Sequence, residues 1–390
     1  MKKILCLISA VMLHLAVGSV YAWSVLVNPI IDYTGWSNLS LVIVFGITIA
    51  CLGFSTLFLG RYMKKVKPVI ACCTAFCCYL TGMGMTSAAI HYHSFILLLT
   101  GYGFVLGFGT GIAYLTPIPI LMTWFKTWRG VATGMVVTGF GCSSLIAAAG
   151  YHYCIIHYGL EYAPIYTGFF MSLLMIPSFF FLRSASDIEE KELEHYKGVK
   201  QLLNNKQFKL LWVLFFINIS IGVAVISAMS PMLQDIFNVS ARQAALFVGT
   251  AGIVNGASRF CWSLLSDLIG RPLTVIVLIV FELTALISLI YFMDYDIFKT
   301  CILVIVTCYG GLFAIMPSYI ADLFGVNKVQ ETFGYILTAW GIAGLIAPVT
   351  LIASVNYTGS YSDFFYFALI LCLINSIIAL SLSERNVLRV

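Results

Sequence analysis

The segment NGASRFCWSLLSDLIGR, residues 255–271, places Asn255, Arg259, Asp267 and Arg271 within a largely apolar run. Arg259 carries a permanent charge and a planar fork of N–H donors that matches a carboxylate. Asn255 lies four residues earlier, on the same face of a helix, where its amide can orient a carboxylate by donating a hydrogen bond. The chemistry these residues suit is recognition of an anion rather than turnover. Neither a zinc motif of the HExxH type nor a nucleotide-binding GxxxxGK[ST] loop occurs in the sequence. No cofactor is expected.

The elements that must position Arg259 follow from composition. Of 390 residues, 61% are hydrophobic and 9% charged, against roughly 25% charged in a soluble domain. A crossing helix needs about 20 apolar residues, and the chain has material for twelve. They fall near 4–28, 37–60, 68–90, 95–124, 130–155, 161–182, 209–233, 243–266, 272–293, 298–321, 332–355 and 361–382. The expected class is an all-α membrane protein of twelve transmembrane helices in two six-helix bundles. The charged stretch 183–208 is the expected cytoplasmic linker, with bundles at 1–182 and 209–390. With both termini in the cytoplasm, 18 lysines and arginines fall inside and two, Arg242 and Lys299, outside. The net charge of +5 implies no nucleic-acid partner, because the basic residues lie between spans. The surroundings are the lipid bilayer, and a monomer is expected.

This frame sets the depth of Arg259. Span 8 runs inward and Asp267 is eight positions further on. At about 1.5 Å per residue, Arg259 lies roughly 12 Å from that end, close to the midplane of a core about 30 Å thick. A cation there requires a partner. Two are open: a bound anion, or Glu282, about ten residues into span 9 on the other arm of the same hairpin.

The opening MKKILCLISAVMLHLAVGSVYAWSVLVNPII has the outline of a secretory signal, with Val20-Tyr21-Ala22 before Trp23. Its apolar run continues past that point, and the six-plus-six arrangement needs it, so it reads as span 1. His14 within it reads as a satisfied core histidine. The cluster Cys72, Cys73, Cys77 and Cys78 reads as packing rather than a metal site.

Twelve spans about a charged loop resemble the major facilitator superfamily of secondary transporters. SLLSDLIGR, residues 263–271, is similar to its motif between helices 8 and 9, whereas LFLGRYMKKVKP has Gly60 where the first copy carries aspartate. GSVYAWSVL (18–26), WFKTWRGVATGMVVTGFG (124–141), MPSYIADLFG (316–325) and FGYILTAWGIAGLIAP (333–348) resemble the oxalate/formate antiporter branch. The resemblance implies transport of a small organic anion, with a proton or a counter-anion as co-substrate, across the cytoplasmic (inner) cell membrane. It implies a pocket that combines Arg259 and Asn255 with Tyr21, Trp23, Tyr114, Phe140, Tyr309, Phe313 and Trp340. Asp267, Arg271 and Arg129 are expected gate charges.

Two departures bear on the cargo. Proton-coupled monocarboxylate transporters resemble this region but carry aspartate where Asn255 stands, so their proton site is not reproduced there. Oxalate-specific members carry lysine where Trp340 stands. One embedded cation then favours one carboxylate, as in formate, pyruvate or lactate, because an unpaired second carboxylate in an apolar pocket is costly. A dicarboxylate antiporter and a non-transporting anion sensor are the alternatives.

Overall fold

The computed structural model describes residues 2–62, 66–125, 129–183, 199–292, 294–324 and 329–387. The described chain is almost wholly helical. The first crossing, α1, runs as Lys2–Val17, a 3-10 stretch Gly18–Ala22 and Ser24–Thr34. α2 is Asn38–Tyr62, α3 Pro68–His91, and α4 is a broken run of Phe95–Leu98, Leu99–Leu106, Gly107–Leu115 and Pro117–Trp124. α5 is Arg129–Tyr158, and α6 comprises Leu160–Tyr162, Ala163–Leu173 and Ile176–Phe181. The second set is α7 (Lys206–Phe237), α8 (Ala241–Ile269), α9 (Arg271–Tyr291), α10 (Tyr295–Phe324), α11 (Val329–Thr358) and α12 (Ser362–Val387).

Among the described residues, 11 of these helices are long and apolar enough to cross a membrane. The remaining one, α8, is 29 residues long, about 43 Å at 1.5 Å per residue. It fails the apolar measure, not the length, and it is the helix that carries Asn255, Ser258 and Arg259. All three are buried. The protein is thus a multi-pass membrane protein whose least apolar helix is shielded by its neighbours.

Local sequence explains where the helices start, break and turn. α8 opens on a capping box, in which Ser240 accepts from the Gln243 N–H and the Gln243 side chain reaches back to the Ser240 N–H. It closes at Gly270, whose φ of +86° makes the abrupt reversal into α9 possible without a Cβ clash. α4 departs from the single span expected over 95–124. It passes through a π-helical stretch at Leu99–Leu106, and Pro117 then opens a new segment, because proline donates no N–H to the preceding turn. At the position of the secretory-like cut the 3-10 stretch passes through Trp23 into the helix at Ser24, and Tyr21, Ala22 and Trp23 are all buried in the fold.

The two sets of six meet along α5 against α8 and α2 against α11. A Cβ added at Gly141 on α5 would stand 2.8 Å from the backbone of Gly256 on α8. Small residues therefore let these backbones touch, which is how helices associate when lipid removes the hydrophobic drive between them. Polar side chains add to this seam: Thr138 donates to the Gly256 carbonyl at 3.2 Å and Ser144 to the Val248 carbonyl at 3.3 Å.

Candidate functional site

Where the two sets meet, side chains from α1, α4, α5, α8, α10 and α11 converge on Arg259. Arg259 as a whole is 1% exposed. The Nε–H donates to Asn255 Oδ1 at 3.4 Å, the i to i+4 contact that their spacing allows. The guanidinium carbon stands 5.4 Å from the Phe313 ring centroid, a cation–π contact. Nη1 is buried without a hydrogen-bond partner. No carboxylate among the described residues lies within ion-pair distance of Arg259.

The alternative partner is engaged elsewhere. Glu282 is fully buried on α9, where Asn218 on α7 donates to its Oε2 at 2.9 Å and the Cys372 thiol of α12 lies 3.9 Å away. An Arg259–Glu282 pair is therefore not formed. α9 turns this carboxyl into its own half of the molecule and away from the seam on which Arg259 sits.

Around Arg259 the aromatic side chains form a connected shell. Phe313 packs on Tyr309 and Trp340, with centroids 5.2 and 4.8 Å apart. Trp340 meets Tyr114 at 5.7 Å and Phe140 at 6.1 Å. Tyr21 meets Phe140 edge-on at 5.0 Å, and its hydroxyl hydrogen-bonds the Tyr309 hydroxyl at 2.6 Å across the two halves. The same hydroxyl lies beside the guanidinium. Asn255, Arg259 and every aromatic of this shell are no more than 3% exposed, so the site is closed to water in this conformation. A narrow cleft that includes Tyr21, Ser144, Gly252 and Asn255 runs beside it.

Eight of the nine pocket residues expected from sequence thus come together: Arg259, Asn255, Tyr21, Tyr114, Phe140, Tyr309, Phe313 and Trp340. Trp23 does not join them. Its ring packs on Tyr102 at 4.3 Å, inside the first set of helices. The 3-10 stretch ends between Tyr21 and Trp23, and two residues apart they face different neighbours.

His14 was expected to be a core residue, yet it adjoins the shell. Its ring stacks on Tyr114 at 5.0 Å and meets Phe140 edge-on at 6.1 Å. Nε2 is 3.0 Å from the Tyr114 carbonyl, while Nδ1 is buried with no partner. Phe215 on α7, which the sequence reading did not single out, packs on Phe313 at 5.0 Å. No motif signals either residue, and only the folded contacts recruit them.

The expected gate charges take a local form. Arg271 pairs with Asp267 at 2.5 Å and with Asp322 on α10 at 3.4 Å, and it also donates to Ser266. These contacts tie the adjoining ends of α8, α9 and α10 within the second set of helices. None reaches the first set. Asp322 belongs to the MPSYIADLFG segment, but its role as a partner was not evident there. The Arg129 side chain lies outside the described residues.

A buried cation with an unpartnered N–H, held in an aromatic shell that both halves build, can receive a small anion. The shell also supplies the hydroxyls of Tyr21 and Tyr309 and the indole N–H of Trp340, which is buried without a partner. Donors of this kind hydrogen-bond carboxylate oxygens while their rings exclude water.

Comparison with known proteins agrees in fold and in type. The sequence model of the Major Facilitator Superfamily matches residues 6–348. The chain is 25% identical over 353 residues to the oxalate:formate antiporter of Oxalobacter formigenes, covering 87% of this chain and 82% of that one. It is 24% identical over 355 residues to the uncharacterized MFS-type transporter YhjX of Escherichia coli, covering 87% and 85%. It is also 23% identical over 330 residues to the apicoplast pyruvate carrier 1 of Toxoplasma gondii, covering 66% and 59%. Among solved structures, a bacterial homologue of the human lysosomal transporter Spinster superposes with a TM-score of 0.76 at 13% identity, covering 98% of this chain and 97% of that one. That likeness concerns the fold.

Proposed function

This chain belongs to the Major Facilitator Superfamily, and we propose that it carries a small organic anion across the membrane by alternating access. The cargo is a monocarboxylate of the formate, pyruvate or lactate type. The observation that carries this reading is Arg259, a fully buried guanidinium with a free N–H and no carboxylate partner among the described residues. A cation held so in a membrane interior is costly, and an arriving carboxylate offsets that cost. The names of an oxalate:formate antiporter and a pyruvate carrier among its relatives support the class of cargo.

Trp340 supports one carboxylate over two. Its ring fills the side of the shell between Tyr114, Phe140 and Phe313 and brings no charge. The second reading, a dicarboxylate such as oxalate, is favoured by the antiporter relative alone. In the cycle we infer, the halves 1–182 and 209–390 rock about the closed site, joined by the linker 183–208. The bond between Tyr21 and Tyr309 breaks whenever the site opens, since it bridges the halves. The lysine and arginine bias supports both termini lying on the cytoplasmic side of the membrane. The protein works as a monomer, and it moves its cargo without chemical change.

A thermal-shift screen of purified protein tests the reading, since a ligand that binds the folded state stabilises it as its concentration exceeds the dissociation constant. Formate, pyruvate and lactate are expected to raise the midpoint and oxalate is not. Equal or greater stabilisation by oxalate would overturn the argument from Trp340.

A further inference from the structure

His14 offers the site a group that no part of the anion reading uses. It is fully buried on α1, its ring lies against Tyr114 and Phe140 of the shell, and Arg259 is close enough for its charge to bear on the imidazole. The Tyr114 carbonyl can only accept, so Nε2 carries the hydrogen. Nδ1 of the neutral ring is then a bare lone pair, buried and without a partner. It is an acceptor with nothing donated to it.

We propose that Nδ1 of His14 is the binding site for a proton that travels with the carboxylate. This rests on the anion reading above and adds the co-substrate to it. The groups in contact with His14 are Tyr114 on α4 and Phe140 on α5, while the charged Arg259 on α8 lies further off, across the seam. No carboxylate among the described residues pairs with it. Burial in this apolar surround disfavours an imidazolium, so the site without cargo keeps His14 neutral. A carboxylate brought into the shell beside it supplies the opposite charge that offsets this cost. Anion and proton therefore each favour the other, and by linkage the coupling is equal in both directions.

The proton step is simple to balance. From the open side, an O–H bond of hydronium, or of the carboxylic acid itself, breaks as the Nδ1–H bond forms. The Nε2–H stays on the Tyr114 carbonyl, and no electrons are exchanged. On the other side the Nδ1–H bond breaks and the proton returns to water as the anion leaves. Asn255, which is not titratable, has no part in this, so the proton rides on α1 while the guanidinium that takes the anion stands on α8.

The test uses the full chain in proteoliposomes containing a pH-sensitive dye, with labelled pyruvate as probe. His14→Gln retains an amide N–H to meet the Tyr114 carbonyl but cannot be protonated. Wild type is expected to acidify the lumen by one proton per pyruvate during net uptake and to accumulate pyruvate when the outside is acid. H14Q is expected to lose acid-driven accumulation at least tenfold, and the pyruvate–pyruvate exchange it retains, which needs no net proton, is expected to lose its dependence on pH. Acid-driven accumulation in H14Q at the wild-type level overturns the proposal. Should H14Q fail to fold, wild-type stoichiometry decides: uptake of pyruvate without lumen acidification overturns it equally. Proteoliposomes that move no carboxylate at all would instead sink the anion reading, and this inference with it.

Discussion

Replacing Arg259 with methionine should change stability and binding in opposite directions. Methionine approximates the length of the arginine stem and removes the charge. A membrane-buried arginine costs about 2.5–3.5 kcal/mol on insertion scales. Against this, the variant gives up the Nε–Asn255 bond at 3.4 Å and the cation–π contact with Phe313 at 5.4 Å. Together these are worth about 1–2 kcal/mol. The ligand-free variant is therefore expected to be more stable than wild type by about 1–2 kcal/mol. Binding should move the other way. A carboxylate at about 4 Å from a cation gains about 4 kcal/mol at an effective dielectric of 20, which is about a thousandfold in affinity. Thermal unfolding with and without pyruvate reads both effects from one experiment. The expected result is a raised midpoint without pyruvate and no further rise with it. A lowered midpoint with the pyruvate-induced rise intact would show that Arg259 is a packing residue, and the reasoning from its missing partner would be refuted.

Other substitutions separate the parts of the account. Trp340→Lys supplies a second cation beside Arg259 and should swing the oxalate-to-formate affinity ratio at least tenfold towards oxalate, at a cost of about 3–5 kcal/mol for the lost ring; an unchanged ratio would remove Trp340 from the selectivity argument. Glu282→Gln keeps an acceptor for Asn218 and leaves Arg259 untouched, so stability should hold within about 1 kcal/mol and pyruvate affinity within about twofold; a large loss of affinity would restore a link between the two residues. Gly141→Val forces a branched side chain against Gly256, where even a Cβ would stand 2.8 Å from the backbone. Overpacking of this kind costs about 1–3 kcal/mol, and exchange should slow more than tenfold; wild-type exchange would show that α5 and α8 need not stay in contact.

The scaffold was legible in the sequence because lipid imposes a simple code. Apolar runs of sufficient length, broken by charge, gave helices whose ends agree with the structure to within a few residues for most spans. The π-helical stretch and break in α4 were not foreseen, because glycine and proline mark where a helix can yield without saying whether it does. On α8, the four-residue interval between Asn255 and Arg259 placed both on one face, and they bond. Tyr309 and Phe313 share the same interval and pack together. Trp23 was grouped with Tyr21 in one pocket, although an interval of two residues already sets the pair diverging, and its ring packs on Tyr102 instead.

What remained hidden depends on contacts far apart in the chain. His14 bonds the carbonyl of Tyr114, one hundred residues later, and a backbone carbonyl leaves no trace in residue type. Asp322 reaches Arg271 only because α10 ends beside the turn at Gly270. The i to i+4 contact of Arg271 with Asp267 was open to sequence reasoning, and among the described residues the ion pairs of Arg271 stay within one half of the molecule. Glu282 and Arg259 share a depth yet not a direction, and depth was all that counting residues supplied.

Uptake of labelled formate and pyruvate into proteoliposomes, with Arg259→Gln measured beside the unaltered chain, tests the central claim most directly. Saturable uptake by the unaltered chain and a fall of at least a hundredfold in the variant is the predicted result. Uptake that survives the substitution, or a folded, unaltered chain that moves neither acid, would contradict it.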